Sequence, residues 1–560
     1  MAQSNPLNKE RLHRIRHWFA VTGLLLAIWA VHGQSARAAE SRPYRGPITW
    51  SIILCRFSDS PAPPHDPAYY RDLIANRRTD GLSDFIAAVS YGSSDLATTV
   101  VKGWYSEPFT QAQEEALGGG GSPTRTRKYQ DCLDAAAHDR TDPYTPPPGQ
   151  LVAVVTSPGI DLFGMVGVGS MLPDTVDMVG MSHEIGHGLG FSHSFSDNTT
   201  NQEYDDPWDM MSAYNVFADP RPGARFGNAG PGFNAAHIDE MGWLPRPRIF
   251  TAGTDGRPSQ SITLAALNHP EAGGFLIARV PFDVGDPFHY YTVEYRTADG
   301  FDGGLPASTV MIHEVKLDPG AGVYHTYLLR DNAAPGRPPT QAVNANGVTI
   351  SVDGTDAAAH QARVTIGDQI VARCLLGFVW REASTADQVC VPVATRTQTR
   401  ADNAQAAARR EPNGGPFGPD TCRQGFVWRE AFAGDHVCVP PPTRTQARAD
   451  NAQAASRNNP SRVVFGPNTC SVGFVWREAD DTDVVCVSGA ERTQVRAENA
   501  NPALHRNPAG GPFGPDTCLG GFVWREAFPG DHVCVVPPRR TQTRADNTQA
   551  HARLMKPNVE

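Results

Sequence analysis

The chain has 560 residues and a formal net charge of −10, with 49 Lys and Arg against 59 Asp and Glu. This length is too great for one domain, so three or four are expected. The acidic balance argues against nucleic-acid binding, which needs a positive surface, and the 53 Gly and 47 Pro beside only 19% charged residues indicate a loop-rich extracellular protein.

The N-terminal 38 residues have the pattern of a secretory signal peptide. A basic stretch ending at Arg16 precedes an apolar run over 18–31, and the small residues Ala36 and Ala38 flank Arg37 as in a cleavage site. The apolar run is shorter than the ~20 residues that span a membrane. We therefore predict a signal peptide over 1–38 and a secreted protein. The alternative is an uncleaved signal anchor that tethers the protein to a membrane.

Strand-like and helix-like segments alternate over residues 41–245, which predicts an α/β domain with a mixed sheet. Apolar runs predict strands at 48–57, 100–105 and 151–156, and an edge strand beside a substrate cleft at 163–171. Helical periodicity predicts helices at 68–90, 125–138 and 175–189.

The third of these helices carries the sequence H-E-x-x-H-x-x-G-x-x-H, from His183 to His193. Positions i and i+4 share one helix face, so His183 and His187 can present two imidazoles to one metal, with Glu184 beside the first. Gly190 can adopt a positive φ that ends the helix, and the returning chain can supply His193. Three nitrogen donors with one open position are typical of a catalytic Zn²⁺ site. Gly190 and His193 distinguish the motif from a polar helix face whose histidines are satisfied by neighbours.

A segment with two methionines, 204–212, follows the motif closely. By themselves, Met210 and Met211 would be interpreted as core filler. However, an extended zinc motif followed by such a turn resembles the metzincin metalloproteases. The resemblance implies that Met211, with Met210 as the second candidate, forms the Met-turn under the zinc site.

Flanking segments extend the resemblance to gametolysin-like and immune-inhibitor-A-like secreted peptidases. In chain order these segments are 90–92, 100–105, 241–244, 291–296 and 300–302. The similarity covers residues 48–330, over half of the chain. Immune-inhibitor-A-like enzymes usually carry an acidic third ligand, whereas this chain has His193, which is nearer to the gametolysin-like pattern.

The resemblance implies a zinc-dependent endopeptidase that acts on extracellular proteins or peptides. Zn²⁺ held by His183, His187 and His193 would activate a water molecule, and Glu184 would act as the general base for its attack on the peptide carbonyl. The edge strand at 163–171 would hold the substrate in an extended form.

Acidic residues after the motif have two interpretations. Asp205, Asp206 and Asp209 could bind a cation, but Asp near a turn is more often a cap or a turn former. If His193 is not the third ligand, Asp197 is the next candidate.

From 246 to 371 the sequence changes character. Short strand-like runs, bounded by Gly, Pro and Asp, occur at 261–264, 275–278, 289–295, 309–313 and 348–351. Several short strands at this spacing predict an all-β, sandwich-like domain.

Residues 372–560 contain four copies of a 48-residue repeat, each with two cysteines 16 positions apart. The constant spacing predicts a disulfide within each copy: Cys374–Cys390, Cys422–Cys438, Cys470–Cys486 and Cys518–Cys534. Pro- and Gly-rich joints predict four separate beads that can be removed without loss of catalysis. In the catalytic region, Cys55 and Cys132 are either a fifth pair or two buried thiols.

The tryptophan of each repeat also has two interpretations. An exposed Trp could stack on the sugars of a cell wall or glycan, whereas a buried Trp would form the small core of its repeat, which is the interpretation that we favour. The residues are Trp380, Trp428, Trp476 and Trp524. A surface-binding or adhesive protein with an accessory zinc domain is therefore the alternative to a protease. We expect a monomer without a nucleic-acid partner.

Overall fold

The computed structural model describes most of the chain after the predicted signal peptide. The described residues are 45–117, 122–197, 203–221, 224–253, 259–283, 286, 288–330, 338–367, 374, 378–384, 387, 389–457, 466–471 and 473–555. The signal peptide predicted over 1–38 lies outside them. Within this part of the chain, no helix combines the length and the apolar character needed to cross a membrane.

The protein is a mixed α/β protein with several sheets and a C-terminal series of disulfide-linked hairpins. The α-helices of the described part are Pro67–Tyr70, Leu82–Val89, Gln111–Glu115, Ser122–Ala137, Met178–Leu189, Ala235–Glu240, Val393–Ala404, Pro441–Arg457, Gly489–Ala500 and Pro537–Thr548. Shorter turns of π- or 3-10 helix occupy Arg71–Ala75, Met210–Asn215, Arg246–Arg248, Gly300–Asp302 and His551–Arg553.

A five-stranded sheet lies in the predicted catalytic region. The strands of this region are β1 Gly46–Pro47, β2 Trp50–Arg56, β3 Ser94–Asp95, β4 Val100–Ser106, β5 Leu151–Ser157, β6 Phe163–Met165 and β7 Gly169–Pro173. The sheet has the order β4-β2-β5-β7-β6 and is parallel except for β6 at its edge. Every residue of β5 is buried, as expected for the central strand of a covered parallel sheet.

Two elements predicted for this region are divided. The strand predicted at 163–171 is a hairpin of β6 and β7, and only β6 lies at the edge. The helix predicted at 68–90 is broken where Arg78 and Asp80 have φ angles of 63° and 60°. The Asp84 carboxylate accepts hydrogen bonds from both of their N–H groups, at 2.9 and 3.0 Å, and so satisfies backbone groups that a helix would have paired.

The predicted β-sandwich consists of two sheets. Its strands are β8 Ser194–Ser196, β9 Ile249–Thr251, β10 Gln260–Ala265, β11 Ile277–Pro281, β12 Tyr290–Arg296, β13 Thr309–Asp318, β14 Val323–Leu328, β15 Ala342–Ala345, β16 Val348–Asp356 and β17 Gln361–Gly367. The six-stranded sheet has the order β8-β14-β13-β12-β11-β9, and the four-stranded sheet has the order β10-β17-β16-β15. Buried side chains of both sheets, such as Val293 and Val364, form one hydrophobic core.

Strand β8 connects this sandwich to the zinc motif. It begins at Ser194, immediately after His193, and pairs in parallel with β14. A strand of the catalytic region is therefore part of the sandwich sheet. The buried Arg296 strengthens the junction, because its guanidinium contacts Glu294 and Asp302 at 3.0 and 3.1 Å, and Asp302 also accepts a hydrogen bond from the backbone at 232.

Each C-terminal repeat is a short antiparallel hairpin followed by a helix. We number the repeats 1 to 4 from their first cysteines, Cys374, Cys422, Cys470 and Cys518. Their hairpins are β18 Phe378–Trp380 with β19 Cys390–Pro392, β20 Val427–Trp428 with β21 Cys438–Val439, β22 Val475–Trp476 with β23 Cys486–Val487, and β24 Val523–Trp524 with β25 Cys534–Val535. The four disulfides predicted within repeats are confirmed, and Cys55 pairs with Cys132.

The repeats are not four separate beads, because they pack in two pairs. In repeat 1, the buried Arg381 is held by both carboxylate oxygens of Asp387, at 2.8 and 3.0 Å. The same guanidinium donates to the Ala431 carbonyl of repeat 2 at 3.0 Å. Arg429 of repeat 2 makes the reciprocal contact with the Ala383 carbonyl at 3.3 Å. Each arginine therefore links the two members of its pair.

Repeats 3 and 4 pair in the same way. Arg477 of repeat 3 donates to the Ala527 carbonyl at 3.1 Å, and Arg525 of repeat 4 contacts Glu498 at 3.2 Å. The arginines are among the largest fully buried side chains of the protein, whereas the four tryptophans are half-buried. Our preference for tryptophan as the core of each repeat is therefore confirmed only in part: Trp476 packs against the disulfide of repeat 3, but the fully buried side chain of each repeat is an arginine.

The second pair of repeats contacts the body of the protein. Arg246 donates to the Asp480 carbonyl at 2.8 Å and forms an ion pair with Glu478 at 3.1 Å. Asn468, just before repeat 3, donates to the Asp239 carbonyl at 2.6 Å. These contacts contradict the expectation of a detached tail.

Candidate metal centre

The helix Met178–Leu189 places the motif beside the five-stranded sheet. Asp177 caps the first turn by accepting a hydrogen bond from the Gly180 N–H at 2.9 Å. At the other end, Gly190 has a φ of 105°, which ends the helix and turns the chain back. Every residue of the helix is buried, so the surrounding packing restricts the orientation of its side chains.

The structure brings the three predicted metal ligands together. One ring nitrogen from each of His183, His187 and His193 lies within 4.8 Å of the other two. Burial lowers the pKa of His183 to about 4 and that of His187 to about 3. Both imidazoles are therefore neutral near pH 7, which is the form that binds a metal.

The Nδ1 atoms of the two helical histidines have backbone partners. Nδ1 of His183 lies 3.1 Å from the Met210 carbonyl oxygen, and Nδ1 of His187 lies 2.9 Å from the Phe191 carbonyl oxygen. The Ala213 N–H is also 3.1 Å from Nδ1 of His183 and donates to it only in the other tautomer of this ring. When Nδ1 donates to a carbonyl oxygen, the lone pair is on Nε2, which is then free to bind a metal. This donor set fits Zn²⁺.

His193 has two neighbours that the sequence analysis missed. Its Nδ1 contacts the Glu203 carboxylate, and the Tyr204 hydroxyl lies 3.0 Å from its Nε2. The Glu203 contact orients the ring as a carboxylate does behind a metal-binding histidine. Asp197, the alternative third ligand, instead accepts a hydrogen bond from the Arg330 N–H at 2.8 Å. In the sequence, Glu203 and Tyr204 are indicated only by their position between the zinc motif and Met210.

Glu184 is buried beside the imidazoles. Its Oε2 has no hydrogen-bond partner among the described residues. Burial raises the pKa of Glu184 to about 8, against the opposing effect of Arg125. A buried carboxyl oxygen without a partner is costly unless a ligand or a proton satisfies it. The residues around this oxygen therefore fit a metal ion together with a water molecule.

Met211 lies directly against the motif helix. A Cβ atom at Gly186 would come within 2.6 Å of the Met211 sulfur, so the close approach of this side chain depends on glycine. The turn that carries the sulfur is tight, with a φ of 52° at Ala213. Met210 is also buried, but its carbonyl, and not its sulfur, contacts His183.

The three aspartates considered as cation ligands are paired with basic side chains. The pairs are Asp205 with Arg330 (2.9 Å), Asp206 with His313 (3.0 Å) and Asp209 with His237 (3.1 Å). Asp206 and Asp209 are fully buried. Their positions are explained by these contacts, which fasten the segment 204–212 to the sandwich and to the helix Ala235–Glu240.

Strand β6 passes close to the motif helix. A Cβ atom at Gly164 would approach the His187 Cβ to 2.6 Å and the Glu184 Oε2 to 2.8 Å. Only glycine therefore allows the backbone of this edge strand to lie so near the site. Val166, in the turn after β6, is 52% exposed. The site thus borders an exposed sheet edge that can pair with an extended chain.

A cavity of about 500 Å³ lies next to the segment that leads to the third histidine. Its wall includes Ser192 from that segment, Tyr290 and Val323 from the sandwich, and Leu554 from the end of the chain. All three parts of the protein therefore contribute to one mainly apolar space beside the motif.

Neither a comparison with models of known protein families nor a comparison with curated proteins found a match to this chain.

Proposed function

We propose that this protein is a secreted zinc metalloendopeptidase of the metzincin type, which hydrolyses peptide bonds in extracellular proteins. The observation that carries the proposal is the convergence of His183, His187 and His193 beside the buried carboxyl group of Glu184. Three imidazole nitrogen donors and one carboxyl group are the set that metal-assisted hydrolysis requires.

Each residue of the site has a role in this reaction. The three imidazoles would hold Zn²⁺, which when bound supplies a Lewis acid and lowers the pKa of water. Beside a bound cation the Glu184 carboxyl group would be ionised, so that it would accept the proton of the attacking water and then pass it to the leaving amine. The Glu203 carboxylate holds the ring of His193 in place, and the Tyr204 hydroxyl lies 3.0 Å from Nε2 of the same ring.

The surroundings support a protein substrate. The edge strand β6 beside Glu184 can bind an extended peptide by backbone pairing, and the neighbouring cavity of about 500 Å³ can take an apolar side chain. Five disulfides are consistent with an oxidising extracellular compartment.

The test is Glu184→Ala in the full-length protein, assayed for zinc content and for digestion of an unfolded protein such as casein. We expect zinc to be retained and the rate to fall by at least ~100-fold, because the general base is lost and no ligand is removed. The matched control is Glu115→Ala, at an exposed glutamate of the same region, which should retain both zinc and rate. Near-wild-type turnover by Glu184→Ala would refute this mechanism.

A second candidate function is surface binding by the repeats. Phe417 and Phe513 are 70% and 69% exposed and lie edge-on to Trp428 and Trp524. Such aromatic pairs are suited to stacking on the rings of a glycan or a cell-wall polymer. Binding of Glu184→Ala protein to insoluble polysaccharide, and its loss when both phenylalanines are changed to alanine, would support this function. Binding unaffected by those changes would exclude it at these positions.

A further inference from the structure

Three loops of the β-sandwich region meet at a second group of metal-binding side chains. His269 follows strand β10, Asp299 follows β12, and His360 lies in the turn between β16 and β17. One ligand atom from each of the three lies within 4.8 Å of the other two. All three residues are half-buried, so the group is open to solvent on one side.

The side chains of this group contact one another. Nε2 of His269 is 2.7 Å from the Asp299 carboxylate, and its ring is stacked on that of His360 with a centroid distance of 3.6 Å. Nδ1 of His269 contacts the Glu271 carboxylate at 2.7 Å. This is the arrangement in which an outer carboxylate fixes the orientation of a metal-binding imidazole.

His360 shows that ion pairing alone does not explain the group. A protonated His269 between two carboxylates would satisfy its own two nitrogens. It would leave Nδ1 of His360 unsatisfied. This nitrogen is buried and has no hydrogen-bond partner among the described residues. His360 also has a φ of 52°, a left-handed conformation that is uncommon for histidine. A buried imidazole nitrogen without a partner, beside a second imidazole and a carboxylate, points to a ligand.

Hydrogen bonds from Arg248 hold the loop that carries His269 in place. The guanidinium of Arg248 donates to the carbonyls of Pro270, Ala272 and Gly274 at 2.6 to 2.7 Å. This arginine therefore fixes three backbone positions of the loop.

The other two segments are also fixed. Asn268 donates to the Asp299 carboxylate at 3.0 Å, and the Ala266 N–H donates to the His360 carbonyl at 2.8 Å. The segments that carry the three side chains are therefore held in place by hydrogen bonds from Arg248, Asn268 and the Ala266 N–H.

We propose that His269, Asp299 and His360 form a second Zn²⁺ site, separate from the catalytic centre. Two imidazoles and one carboxylate are donors that suit Zn²⁺ and not Ca²⁺, which prefers oxygen ligands alone. Water can complete the coordination on the exposed side. The role is structural, because Asp299 directly precedes the turn Gly300–Asp302, which contacts the catalytic region at Gly232. The ion would fasten the loops at the junction of the two regions.

The test measures zinc bound per chain in full-length protein dialysed against Zn²⁺ alone. Changing both His183 and His187 to alanine removes the catalytic site, and we expect this protein to keep one zinc. Adding His360→Asn should remove that zinc. Asparagine is chosen because it tolerates the left-handed backbone at this position. The His269→Ala change, added to the same background, should have the same effect.

In the wild-type background, His360→Asn should reduce bound zinc from two to one per chain and leave catalytic turnover within about 2-fold of wild type. Cooperative thermal unfolding in the presence of a chelator shows that the variant is folded. The proposal is overturned if the protein without catalytic ligands binds no zinc, or if His360→Asn and His269→Ala both retain it. Neither result depends on peptidase activity, so failure of the second site and failure of the proposed enzyme can be distinguished.

Discussion

The buried carboxyl group of Glu107 predicts that part of the stability of the catalytic region is lost as the pH rises. Glu107 is 2% exposed, and neither of its carboxyl oxygens has a hydrogen-bond partner among the described residues. Burial, followed by the nearby charges of Glu114 and Asp131, raises the pKa of Glu107 from 4.5 to about 8. The folded protein therefore holds this proton more tightly than the unfolded chain does.

The sign follows from proton binding. Below pH 4.5 Glu107 is protonated in both the folded and the unfolded protein, so it adds no pH dependence to the free energy of unfolding. As the pH rises from 4.5 towards 8, only the unfolded chain ionises, so the free energy of unfolding decreases. At about 1.36 kcal/mol for each pKa unit, the full loss is on the order of 5 kcal/mol. Above pH 8 both states are ionised and the loss stays constant.

The Glu107→Gln substitution removes this proton and keeps the size of the side chain. Urea unfolding at about pH 5 and about pH 8.5 should show that the wild type loses roughly 3–5 kcal/mol more than the variant over this interval. Each protein is compared with itself at the two pH values, so any pH-independent effect of the glutamine side chain on the free energy of unfolding cancels. Glu115→Gln, at an exposed position eight residues further along the chain, is the control and should follow the wild type. Parallel pH dependences of wild type and Glu107→Gln would refute the reasoning.

Three further predictions concern the site and the tail. His193→Ala should weaken zinc binding by more than about 100-fold in equilibrium dialysis, since even the loss of an outer partner costs about 10–100-fold. Arg246→Ala should cost about 2–4 kcal/mol in urea unfolding, because charge-assisted hydrogen bonds from a side chain only 17% exposed are lost. Arg477→Lys should cost about 2–4 kcal/mol by the same assay, because lysine cannot make the bidentate contact of Arg477 with Asp483. The control is Arg496→Lys, at an arginine that is 60% exposed, which should cost under about 1 kcal/mol. Unchanged affinity or unchanged stability would contradict the corresponding prediction.

Local spacing made much of the site predictable. The i, i+4 placement of His183 and His187 fixes a shared helix face, and Gly190 at the helix end allows His193 to return to them. The disulfides within repeats were predictable for the same reason, since 16-residue spacing recurs in each copy.

Contacts between distant segments were not predictable. Tyr204 contacts His193 from 11 positions further along the chain, and no spacing rule encodes this contact. Likewise, β8 pairs with β14 across more than a hundred residues, so that the boundary expected at 245 does not separate two independent sheets. The buried Arg381 was missed because arginine is rarely buried without a partner, and its partner carbonyl belongs to another repeat.

The pairing of the repeats has a consequence for how such a tail can lengthen. A single added copy would leave its buried arginine without the carbonyl or carboxylate that a neighbouring repeat supplies, so a pair is the smallest unit that satisfies these side chains. The sequence carries this signature: His436 of repeat 2 recurs as His532 of repeat 4, 96 positions later, whereas repeat 3 has Val484 there. The unit of packing in the tail is therefore a 96-residue pair of repeats and not a single copy.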